Sequence, residues 1–62
     1  MSVIELLDNL IMDMTDYIDD YRDTVRRTDS RLTKQEYNIR IDELKSWRKM
    51  LKEIREEQNQ ND

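Results

Sequence analysis

The chain contains no cysteine, histidine, glycine or proline. Without cysteine there is no disulfide, and without cysteine or histidine there is no zinc site of the usual kind. The same two absences remove the ordinary bases and nucleophiles of covalent catalysis. The three serines, Ser2, Ser30 and Ser46, fall at a helix start, in a turn and on a charged helix surface. A non-enzyme is therefore expected, with no cofactor and no metal. Strand hairpins rely on Gly, Asn-Gly or Pro punctuation, and its absence argues against a β fold. No apolar run approaches the ~20 residues of a membrane span, and Met1-Ser2-Val3-Ile4-Glu5 lacks a basic leader region. Lack of cysteine fits a reducing compartment, so a cytoplasmic protein with no membrane partner is expected.

Length sets a further bound. A chain of 62 residues makes at most one domain and buries only about 60% of its unfolded surface. Below roughly 70–80 residues a lone core seldom supplies more than ~3–5 kcal/mol without a staple. With disulfide and metal excluded, self-association is the remaining common remedy.

What is present is charge and helix formers. Charged residues make up 42% of the chain, with a net charge of −4. Residues 1–25 sum to −6, residues 26–55 to +5 and residues 56–62 to −3. Leu, Ile, Met, Glu, Lys and Arg dominate, which predicts an all-α fold.

The first helix has a complete start signal. Ser2 can cap, Glu5 closes a capping box, and Met1 with Leu6 forms a hydrophobic staple. Ile4, Leu7, Ile11, Met14, Ile18, Tyr21 and Val25 then alternate at spacings of three and four, a heptad stripe. Val3, Leu10 and Tyr17 widen that stripe to the breadth of a bundle helix. The start signal recurs in Leu32-Thr33-Lys34-Gln35-Glu36-Tyr37, with Thr33 as N-cap, Glu36 as box partner and Leu32 with Tyr37 as staple. Thr28-Asp29-Ser30 supplies the turn-prone residues just before it. The expected organisation is one domain, residues 1–62, with a helix at 2–28, a turn at 29–33, a helix at 34–58 and a frayed tail at 59–62. Against it stands one continuous helix, because Thr28 and Leu32 would keep the heptad going.

The second helix is expected to bury Tyr37, Ile41, Leu44, Trp47, Leu51 and Ile54, with Ile39 and Met50 at the margins. Arg40, Lys45, Arg48, Lys49, Lys52 and Arg55 are expected on its outer face. Two matched helices and a short loop give an antiparallel hairpin. Two helices form only one layer and cannot cover two wide stripes, so a second copy is expected to complete a four-helix bundle. The expected oligomer interface is Ile4, Leu7, Leu10, Ile11, Met14, Ile18, Tyr21 and Val25 with Leu44, Trp47, Leu51 and Ile54. The partner is the chain itself, as a homodimer or higher coiled-coil-like assembly.

The acids invite two functional readings. Asp19-Asp20-Tyr21-Arg22-Asp23 resembles in spelling the DDxxD motif by which isoprenoid synthases hold magnesium against pyrophosphate. A hairpin of this size cannot enclose a prenyl chain, and Asp19 and Asp20 diverge by ~100° on a helix; no metal site is assigned. The second reading is recognition. Asp13, Asp16, Asp20 and Asp23 form one ridge, with Met12 and Tyr17 as apolar anchors at its edges. Neighbours on such a ridge lie ~5–6 Å apart, comparable to the spacing of charges along a nucleic-acid backbone. The expectation is a small regulator or inhibitor whose acidic ridge binds a host or cellular protein with a basic surface, such as a nucleic-acid-binding protein. The alternative is a structural oligomerisation or scaffold module whose acids only keep it soluble. A weak direct nucleic-acid binder is a third reading. It is disfavoured because Asp29, Glu36, Asp42, Glu43 and Glu53 dilute the bases and Trp47 lies on the apolar stripe.

In outline such a hairpin is similar to the small two-helix aspartyl-phosphate phosphatases. Their Ser-Gln-Glu-Leu-Asp motif has no counterpart here; Ile41-Asp42-Glu43-Leu44-Lys45 shares only the Glu-Leu pair, so no activity is carried over. In size and style the chain is also similar to phage-encoded regulators of host machinery, an analogy at that level alone.

Overall fold

The computed structural model describes residues 2–60 and is all-helical. Helix α1 spans Val3–Arg27 and α2 spans Arg31–Gln60, and the two pack against each other as an antiparallel hairpin. It measures 49 × 17 × 11 Å. The short dimension is the diameter of one helix, so the hairpin is a single layer with two open faces and two outer edges.

The start of α1 follows the sequence. The Glu5 N–H donates to Ser2 Oγ at 3.1 Å, and the Leu6 N–H to the Ser2 carbonyl at 3.1 Å. The proposed Met1–Leu6 staple lies outside the described residues. Arg26 and Arg27 occupy the last turn of α1, where cations meet the negative end of the helix dipole. The Thr28 N–H closes the helix on the Thr24 carbonyl at 3.0 Å with Thr28 itself extended. The turn needs no glycine, since no residue among those described has a positive φ.

The turn is shorter and earlier than expected, and its cap is a different residue. Ser30, not Thr33, is the N-cap of α2: its Oγ accepts from the Thr33 N–H at 3.2 Å, and its carbonyl from the Lys34 N–H at 3.1 Å. The Ser30 N–H is held by Thr28 Oγ1 at 3.2 Å. Starting at Arg31 rather than at residue 34 adds most of a helical turn and satisfies backbone donors that a longer loop would leave to water. The expected Glu36 box and Leu32–Tyr37 staple are consequently absent. Glu36 instead pairs with Arg40 at 2.6 Å, Leu32 is 78% exposed, and Tyr37 packs edge-on against Tyr21 with ring centroids 5.2 Å apart. At its far end α2 continues to Gln60, past the expected limit of 58.

The buried apolar side chains are Leu7, Ile11 and Ile18 from α1 and Ile41 from α2. The α1 side of the seam is the expected stripe. The α2 side is rotated from expectation. Tyr37, Ile41, Leu44, Arg48, Leu51 and Arg55 are the residues of α2 turned toward α1, at spacings of four and three. Arg48 Nη1 donates to Thr15 Oγ1 at 3.2 Å, and Arg55 Nη1 to Asp8 Oδ1 at 2.7 Å. Two arginines expected on the outer face thus occupy seam positions. Trp47 and Ile54, expected inside, are displaced to the side and are 56% and 38% exposed.

Candidate functional site

Two surfaces stand out, and helix geometry separates them. The first is the outer edge of α1, the side facing away from α2. Asp13, Asp16 and Asp20 lie there because their three- and four-residue spacings keep them on one ridge opposite Ile11 and Ile18. Together with Tyr17 they line one shallow, open groove. All four are exposed.

The acids of α1 divide into two groups. Asp8 is held by Arg55, and Asp23 by Arg27 at 3.2 Å. Glu5, Asp13, Asp16, Asp19 and Asp20 form no ion pair among the described residues, and of these Asp13, Asp16 and Asp20 share the groove. Their mutual repulsion is therefore not offset locally, which is what a cationic ligand would relieve. Tyr17 adds an aromatic face, 6.3 Å centroid to centroid from Tyr21, suited to a guanidinium or the stem of a lysine. Asp23, the fourth acid of the expected ridge, is half-buried and already paired. Met12 is exposed at the opposite margin of the ridge from Tyr17 and does not line the groove. Among the described residues no three acids are placed to hold a metal ion, so Asp19, Asp20 and Asp23 do not converge.

The second surface is one open face of the hairpin. The bonds from Arg48 and Arg55 lie toward the other face. The side chains that share a wheel flank with Tyr21 and Trp47 lie on this one. A groove lined by Tyr21, Arg40, Glu43, Leu44 and Trp47 shows the two helices meeting there. Val3, Leu6, Leu10 and Tyr17 continue this face along α1, and Ile54 continues it along α2, with Met50 at its margin; each is exposed. Thr15–Arg48 and Asp8–Arg55 fix the register, which sets Tyr17 level with Trp47 and Leu10 level with Ile54.

The expected oligomer residues therefore fall into three groups. Leu7, Ile11 and Ile18 are already buried by α2 within one chain. Ile4, Met14, Tyr21, Val25, Leu44 and Leu51 are half-buried along the seam. Leu10, Trp47 and Ile54 are open to solvent. Sequence reasoning treated Val3 and Leu6 as reinforcement of the stripe or as capping residues, although they also belong to the open face. It also missed Arg48 and Arg55 as seam residues; their seven-residue separation, matching that of Asp8 and Thr15, was the available signal. With both arginines turned inward, α2 presents fewer free bases to a nucleic acid than its composition suggests.

No helix is long and apolar enough to cross a membrane among the described residues. Comparison with known protein families, characterised proteins and solved structures produced no match for this chain.

Proposed function

We propose that the protein is a non-enzymatic binding protein. It pairs with itself into a four-helix bundle and holds the basic surface of another protein along the acidic outer edge of α1. The observation that carries the binding role is the groove of Asp13, Asp16, Tyr17 and Asp20, whose three carboxylates form no ion pair among the described residues. Three unpaired acids on one ridge create a local negative potential that steers a positively charged partner and fixes its register. Tyr17 supplies the apolar contact that such charge-guided complexes need for a slow off-rate.

Self-association is supported by the one-helix thickness of the hairpin and by the apolar side chains left on one open face. A bundle would close that face while leaving the three carboxylates of the α1 edge outside, and Tyr17, at the border of the two surfaces, is the one residue they share. By analogy of size and style, a regulator or inhibitor is the natural use of such a molecule.

Reversing Asp13, Asp16 and Asp20 to lysine together tests the binding role. Helicity by circular dichroism should stay unchanged, because the three sites are exposed. Retention of a basic protein captured by the wild-type chain, identified by mass spectrometry, should fall at least about tenfold. The wild-type capture should also weaken near 1 M salt, where the Debye length is about 3 Å. Equal retention by the variant contradicts the binding role and leaves a pure assembly module, the reading favoured by the open apolar face alone.

A further inference from the structure

We infer that the open apolar face is seated on the same face of a second copy, with the two-fold axis parallel to the helices and both turns at one end. This rests on the self-association proposed above and specifies its surface and its geometry.

The surface follows from what the hairpin leaves uncovered. Val3, Leu6, Leu10 and Tyr17 of α1 stand beside Trp47 and Ile54 of α2, all exposed. The opposite face is closed by polar groups, with Arg48 on Thr15 and Arg55 on Asp8. The apolar face is therefore one-sided, and pairing two such faces doubles the single layer. From Val3 to Tyr17 it extends roughly 20 Å at the α-helical rise across a hairpin 17 Å wide. Two copies then remove an area approaching the ~1,000 Å² floor of specific interfaces, once side-chain relief is counted. A second copy brings the same apolar outline, and the charged side chains of this face, Glu36, Arg40 and Glu43, lie toward the turn and away from the patch from Val3 to Leu10.

The geometry follows from two asymmetries. The first runs along the hairpin. The apolar residues occupy the half remote from the turn, whereas Thr24, Glu36, Arg40 and Glu43 occupy the same face toward the turn. With both turns at one end, patch covers patch over its whole length. With turns at opposite ends, the patches meet only after the copies slide by about 15 Å at the helical rise, which strands both turn halves.

The second asymmetry is charge. Turns at one end stack each α1 on α2 of the other copy, where Lys49 accompanies Asp42, Glu43, Glu53 and Glu57 spread along the whole outer flank. Turns at opposite ends stack α1 on α1 and, unless the copies slide, bring the two ridges of Asp13, Asp16 and Asp20 side by side. Like charges so juxtaposed disfavour that arrangement. Both asymmetries select the same two-fold axis.

The test places a nitroxide label at position 29 by Asp29→Cys, in the exposed turn, and measures label–label distance alongside sedimentation. The expected result is a doubled mass and a distance below about 30 Å, two helix diameters plus label arms. A doubled mass with labels at or beyond the 49 Å length of the hairpin overturns the geometry while self-association stands. A monomer overturns self-association and the inference with it. The surface is checked separately by charge insertion. Leu10→Glu with Trp47→Glu should weaken dimerisation at least about tenfold, as loss of central apolar contacts does. Asn38→Glu, exposed and off the face, should leave it unchanged. Equal dimerisation by all three chains overturns the assigned surface.

Discussion

At residue scale, hydroxyl groups do the work that glycine and proline do in most hairpins. Thr28 Oγ1 holds the Ser30 N–H, and Ser30 Oγ holds the Thr33 N–H, so two short side chains turn the chain and start α2. An N-cap serine is worth about 1 kcal/mol over alanine. Ser30→Ala should therefore lower stability by about that amount in urea denaturation, whereas Thr33→Ala should cost well under half of it. A larger loss at Thr33 than at Ser30 would return the cap to the position favoured by the Thr33–Glu36 spacing. The capping box was legible as a pattern, yet two overlapping start signals compete here. The earlier one wins because Thr28 supports Ser30 from within the turn, a cooperation that no single-position rule captures. Ser2, with no competing signal beside it, caps α1 as its sequence indicates.

At element scale, α1 was legible and α2 only in part. The stripe from Ile4 to Val25 is apolar at every heptad position, so its inward face was unambiguous, and Leu7, Ile11 and Ile18 are buried accordingly. In α2 the heptad that meets α1 runs Tyr37, Ile41, Leu44, Arg48, Leu51, Arg55, and two of its members are cations. Hydrophobic periodicity places arginines outside, so Trp47 and Ile54 looked like core. Arginine can take a seam position because its stem covers apolar surface while its guanidinium reaches a polar partner. Asp8 and Thr15, one heptad apart on α1, are those partners. The Asp8–Arg55 pair is partly exposed, so a double-mutant cycle of Asp8→Asn with Arg55→Met should give a coupling of about 0.5–1 kcal/mol. A coupling of zero would place Arg55 back on the outer face. Arg40, which stayed outside, shows the contrast: it lies over Tyr37 at 5.1 Å and pairs with Glu36 four residues before it.

At the scale of the whole molecule, a layer one helix thick presents different chemistry on each side. One face is polar and bridged, the other is apolar and open, and the α1 edge carries three carboxylates that form no ion pair among the described residues. That division was foreshadowed in the sequence by a wide apolar stripe sharing one helix with seven acids. The one-sidedness was not, because it depends on where Arg48 and Arg55 turn Trp47. The chain has a single tryptophan, and in the isolated hairpin its side chain is more than half exposed. Pairing through the apolar face must bury it. The most direct measurement is therefore Trp47 emission against protein concentration, with mass followed in parallel by light scattering. Expected is a shift of the emission to shorter wavelength over the same range in which the mass doubles. A doubled mass with emission fixed at the solvent-exposed position, or a mass that never doubles, would contradict pairing through this face.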